Sequence, residues 1–272
     1  MEQISLSLWD TLALTAILVL GVPHGAADLN LAIRGALIRA PQHFAIFALG
    51  YVALTGIFIL VWFNWPLLSL IGFVAVSVYH FGRADAVHFR AAPIDAFLYG
   101  GLPLLFIPLA HPDEVSGLFS LLTQAETDFI RPFYALAFVW AGHLLLRLGQ
   151  DKIPMAALGE MIMLSFMFLV LPPLWGFAVY FCGFHGRRHF QRLRHTLANL
   201  DWRLTLALSA LTLIVIAAIP FLTEEMSFGL AFLRSLFIGI FALTVPHVIL
   251  IDGLDIFNRI HKTTDMPEIS RQ

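Results

Sequence analysis

The chain has 272 residues, of which 59% are hydrophobic and only 12% charged, with a formal net charge of −2 and a mean hydropathy of +0.84. A soluble globular domain carries about 25% charged residues, so this composition excludes a water-soluble enzyme, a disordered chain and a coiled coil. The near-neutral charge leaves no electrostatic footprint for nucleic acid, and the single cysteine, Cys182, excludes a disulfide framework or a thiolate zinc site.

A helical crossing needs roughly 20 mostly apolar residues. On that measure residues 1–272 read as a single all-α integral membrane domain, a polytopic helical bundle with about nine spans. The spans fall near 6–30, 43–63, 66–86, 94–111, 131–149, 154–171, 173–193, 203–222 and 229–251. The first has no Lys or Arg ahead of its apolar run, unlike a secretory signal. A turn at Asn64-Trp65-Pro66 divides the second span from the third within an uncharged stretch. The 113–130 loop is expected to form an amphipathic surface helix. The sixth span contains Glu160 and ends at Pro172-Pro173; read as re-entrant or interfacial, it would leave eight crossings.

Charge sets the orientation. All the Lys and Arg residues except Arg131 and Arg234 follow the odd-numbered spans, whereas the intervening loops hold Asp113, Glu114, Glu126, Asp128, Glu224 and Glu225. Basic loops stay on the cytoplasmic side, which predicts an outside N-terminus, a cytoplasmic C-terminus and a multi-pass protein of the cytoplasmic membrane.

Eleven histidines are many for so apolar a chain, and an ionisable group inside a bilayer is costly. Four phrases place histidines at the inner ends of four spans: Pro23-His24-Gly25-Ala26-Ala27-Asp28, His80-Phe81-Gly82-Arg83-Ala84-Asp85, His185-Gly186-Arg187-Arg188-His189, and Pro246-His247 followed by Asp252. His185 and His189, four apart, share a helical face and can bind one metal ion, with His24 and His80 completing the set. Imidazole suits iron, zinc, copper and nickel alike, so ligand type does not choose the metal. Asp28, Asp85 and Asp252 are candidates to hold the second ring nitrogen of a histidine. His247 reads equally as ligand, outer partner or substrate contact. His43, His88, His111, His143, His195 and His261 read as interfacial or hydrogen-bonded groups, His143 lying nearest to the pattern of the others. The 25 phenylalanines are explained by lipid-facing and core packing.

Taken in order and spacing, Pro-His-Gly-x-x-Asp at 23–28, His-Phe-Gly at 80–82, His-x-x-Arg-His at 185–189 and Val-Pro-His at 245–247 resemble the Brp/Blh family of bacterial and archaeal β-carotene 15,15′-dioxygenases over nearly the whole chain. The resemblance implies a membrane enzyme that splits the central double bond of β-carotene with O2 into two molecules of retinal, with an opsin as a possible recipient. It also implies Fe(2+) held by His24, His80, His185 and His189. Two other readings stand beside it. One is another histidine-ligated membrane iron oxygenase of the desaturase or hydroxylase type; the other is a non-enzymatic carotenoid- or retinal-binding or transport protein.

Overall fold

The computed structural model describes residues 6–34, 37–125, 129–196, 201–222 and 227–264; within these, the side chains of residues 22, 24, 34, 193–196, 222 and 255–264 are not described. The expectations for Glu126, Asp128, Glu224 and Glu225, and for the side chains of His24, His195 and His261, therefore lie outside it. Every regular element among the described residues is helical.

The first helical stretch changes gauge along its length. Helix α1 (Leu8–Ala16) is capped by Ser7, whose hydroxyl accepts the Asp10 N–H while the Asp10 carboxylate accepts the Ser7 N–H, a reciprocal capping box. A π-helical turn (Ile17–Gly21), a tight 3₁₀ segment (Val22–Ala27) and α2 (Asp28–Arg34) follow. Helices α3 (Pro41–Asn64) and α4 (Pro66–His88) begin with proline, which cannot donate within a helix but is suited to its first turn. Trp65 makes the turn between them, as expected. Next come α5 (Ala96–Ala110), α6 (Pro112–Thr123), α7 (Arg131–Leu148) and α8 (Met155–Val170), then α9 (Pro173–Ala178), a second π-helical stretch (Val179–Gly186) and α10 (Arg187–Thr196), and finally α11 (Trp202–Ala218) and α12 (Phe228–Thr264). The helix expected in the 113–130 loop is α6, which ends at Gln124 in the left-handed conformation (φ 55°).

Six helical stretches among the described residues are long and apolar enough to cross a membrane: Leu8–Ile33, Pro41–Asn64, Pro66–His88, Pro93–Ala110, Trp202–Phe221 and Phe228–Leu254. Met155–Val170 is apolar but shorter. The stretches read as the fifth and seventh spans are helical too, as α7 and as α9 through α10.

Much of the surface is apolar, with large hydrophobic side chains exposed on many helices. Along α3 the side chains of Ile46, Leu49, Val52, Leu60 and Phe63 are all more than 60% exposed, and Trp62 is its one buried side chain among the described residues. Large apolar residues on an outer face suit hydrocarbon, and the fold is a membrane helical bundle.

The core is built on α5, buried over most of its length between α4, α7 and α8. The α4–α5 crossing is a backbone-to-backbone contact. A Cβ on Gly82 would stand 1.8 Å from the Ala96 carbonyl oxygen, and one on Gly100 would stand 1.9 Å from that of Val78. Glycine at both positions is required by this approach, the small-residue packing that brings membrane helices together. The glycine of His80-Phe81-Gly82 thus sets the depth at which α4 seats against α5, and with it the position of His80.

Candidate metal centre

Four imidazoles meet inside the bundle. His80 comes from α4, His185 from the second π-helical stretch, His189 from α10 and His247 from α12; all are 1–7% exposed. The His80 ring centre lies 4.9 Å from that of His185 and 5.0 Å from that of His247, and His247 lies 5.3 Å from His189. The Nε2 atoms of all four rings are sealed from solvent. His24 lies in the 3₁₀ segment, four residues before Asp28, and its side chain is outside the described set.

Aromatic rings wedge His185 in place. Phe81 lies 4.5 Å from it, and Phe181 is nearly parallel to it at 6.1 Å. Phe181 in turn occupies the space left by Gly21, where a Cβ would fall 2.3 Å from the phenyl ring. Gly21, at the head of the first histidine phrase, therefore lets the two π-helical turns approach each other.

Asp28 organises one flank. Its Oδ1 lies 2.7 Å from His247 Nδ1, and its Oδ2 accepts the Tyr51 hydroxyl at 2.8 Å. A carboxylate oxygen can only accept, so His247 donates its Nδ1–H to Asp28, the arrangement by which carboxylates orient metal-ligating histidines. The aspartate of the first phrase thus serves the histidine of the fourth.

The other two aspartates differ from expectation. Asp85 accepts from the Tyr180 hydroxyl at 2.9 Å and from Arg188 at 2.8 Å, and Arg188 also pairs with Glu160. The Arg188 guanidinium lies 5.0 Å above the Phe89 ring. Asp252 accepts from Tyr79 at 2.5 Å and pairs with Arg83 at 2.9 Å. Neither carboxylate holds a histidine, because a full cation stands nearer to each and outcompetes a neutral imidazole N–H. Glu160, the charge that weakened the sixth span, is neutralised by Arg188 rather than facing lipid.

Outside the cluster, His111 Nε2 lies 2.8 Å from the Phe168 carbonyl oxygen, and His43 Nδ1 accepts the Arg39 N–H. His88 packs against Phe89. His143 faces Asp95 at 3.4 Å beside Arg147, which forks onto both oxygens of that carboxylate. These positions fit the interfacial and hydrogen-bonding roles expected of them. Sequence reasoning missed Tyr51, Tyr180 and Arg188. Arg188 carried a usable signal, being a cation between two metal-candidate histidines with an unexplained Glu160 in a neighbouring span.

Among the described residues no three histidine, cysteine or carboxylate groups already stand as a metal-binding set. The donor chemistry nevertheless fits an ion. Two imidazoles bound to one metal at about 2.1 Å have ring centres roughly 5 Å apart, close to the separations seen here, and the rings are buried with a carboxylate fixing one tautomer. The set contains nitrogen donors and no thiolate, which suits iron among other first-row metals.

Fold and centre together define a helical membrane protein with a buried multi-histidine site. Comparison with known proteins narrows this. A family profile described as Beta-carotene 15,15′-dioxygenase matches residues 15–255, and the chain belongs to that family. It is 34% identical over 266 residues to the Beta-carotene 15,15′-dioxygenase of an uncultured marine bacterium, covering 91% of this chain and 94% of the relative. It is 26% identical over 206 residues to the Probable beta-carotene 15,15′-dioxygenase Blh of Halobacterium salinarum, covering 64% and 59% of the two chains. No solved structure matches.

Proposed function

We propose that this protein is a membrane β-carotene 15,15′-dioxygenase: it cleaves the central double bond of β-carotene with O2 and releases two molecules of retinal. The observation that carries the reading is the buried meeting of His80, His185, His189 and His247 from separate helical segments, in a chain of this family. One carbon–carbon double bond is broken and two aldehyde carbonyls form. Each takes one oxygen atom from O2, so no further reductant is needed.

His24, His80, His185 and His189 would hold ferrous iron, and His247 adds a nitrogen whose tautomer Asp28 fixes. Bound there, iron supplies the redox chemistry that allows O2 to react with a closed-shell polyene. The residues of the chain do the rest. Aromatic rings pack around His185, Asp28 orients the His247 imidazole, and Arg188 anchors α10 behind His189. Retinal leaves into the bilayer, where an opsin can collect it.

We read the chain as crossing the cytoplasmic membrane nine times, N-terminus outside and C-terminus inside, on the charge pattern of its loops; six helical stretches among the described residues are long and apolar enough to cross. On this reading the four histidine phrases lie toward the cytoplasmic side. Cysteine labelling from either face tests it: reagent confined to the outside should reach residue 120 and not residue 200, and the reverse pattern would overturn the orientation.

The activity is tested by expression in β-carotene-accumulating bacteria followed by chromatography of the pigments. Carotene should fall while about two retinal appear per carotene lost, as central cleavage by a dioxygenase requires. Intact carotene in cells holding iron-loaded protein would sink the assignment. Each of the single His→Ala changes at positions 24, 80, 185 and 189 should lower bound iron, and full retention in any one removes that residue from the ligand set.

A further inference from the structure

A cavity of about 460 Å³ runs between α3, α11 and α12, with Gly25, Asp28 and His247 among its lining residues. Its α3 wall is a single helical stripe, from Phe44 through Phe47, Tyr51 and Thr55 to Ile59. At helical rise this stripe is roughly 22 Å long. Tyr51, tied through Asp28 to His247, sits roughly 10 Å from one end and roughly 12 Å from the other. Along the α3 wall the hydrogen-bonded level of the metal centre therefore falls close to the middle of the stripe.

The polar atoms of the wall are turned away from any occupant. The hydroxyls of Thr55, Thr212 and Thr244 each donate to a carbonyl of their own helix, those of Tyr51, Leu208 and Ile240, at 2.7–2.9 Å. The Tyr51 hydroxyl donates to Asp28. What faces the groove is mostly methyl, methylene and ring carbon, a surface for a hydrocarbon with no polar handle.

Resting on the functional reading above, we infer that this groove seats the polyene sideways from the bilayer, and that its two arms on either side of the Tyr51–Asp28–His247 level set the position of cleavage. A two-armed apolar slot with the reactive level at its midpoint suits a molecule symmetric about the bond to be cut. A lipid acyl chain would need only one arm. Gly56 and Ala48 are the specificity-determining positions, one in each arm. A Cβ on Gly56 meets nothing within 4 Å, so a larger side chain there enters the groove rather than the protein.

The test compares wild type with Gly56→Phe, Ala48→Phe and the double variant. The substrates are β-carotene and a truncated carotenoid aldehyde that keeps one ring-bearing arm. Each single variant should lower the ratio of β-carotene to truncated-substrate cleavage by about tenfold or more, the size of a steric misfit in a packed site, with bound iron unchanged. The double variant should lose both substrates. Unchanged ratios in both single variants, with iron retained, overturn the groove. Equal loss of both substrates in a single variant also overturns it, because the arms would not be separable. A wild type that leaves β-carotene intact while iron-loaded defeats the functional reading instead, so the two failures are told apart.

Discussion

Two buried aspartates in this bundle have the same outward chemistry and opposite duties. Asp28 and Asp85 are 4% and 3% exposed, each accepts a tyrosine hydroxyl, and each has one basic partner. For Asp28 the partner is His247; for Asp85 it is Arg188. An imidazole is neutral unless protonated, so Asp28 spends its charge on orienting a ring. A guanidinium is permanently charged, so Asp85, together with Glu160, balances a cation buried among apolar helices. A buried carboxylate beside histidines can thus tune a site or hold a scaffold, and its partner decides which.

This contrast can be broken from either side. The largest effect is expected from Arg188→Ala, which leaves Asp85 and Glu160 without their cation. Removing one member of a buried ion pair costs about 3–5 kcal/mol. Thermal unfolding in detergent should show it, and a stability within experimental error of wild type would dismiss the anchoring role. Asp28→Asn should instead leave the unfolding temperature nearly unchanged and weaken iron binding about 10–100-fold, the usual cost of losing an outer carboxylate. Metal titration reads it directly, and loss as complete as in His185→Ala would make Asp28 itself a ligand. The smallest effects belong to the tyrosines. Tyr180→Phe should cost about 1 kcal/mol of stability with iron affinity unchanged. Tyr51→Phe should show the converse, a modest loss of iron affinity; parallel behaviour of the two would erase the distinction.

The helical stretches were legible because apolar length and punctuation act locally: Asn64-Trp65-Pro66 stops one helix and starts the next wherever the bundle places them. The histidine phrases were legible for the same reason, each being a local pattern at a helix end. Partner choice was not. Nothing near Asp28 in sequence shows that it reaches across to His247. Asp85 and Asp252 were assigned to histidines by proximity along the chain, but Arg188 and Arg83 arrive from directions that spacing does not encode. Nothing in the sequence around Gly82 shows that the Ala96 carbonyl lies beneath it, so only the structure marks it as a contact point.

The π-helical stretch Val179–Gly186 has a further consequence for the lineage of this site. A π turn holds one residue more than the α turn it replaces, and each residue in an α-helix advances the side chain by about 100°. Deleting a single residue there would let the backbone relax to ordinary α-helix. It would also swing everything ahead of the deletion about a quarter turn or more relative to His189, carrying Tyr180 or Phe181 off its partner. A homologue with one residue fewer in this stretch should therefore lack the ring packing around His185 seen here.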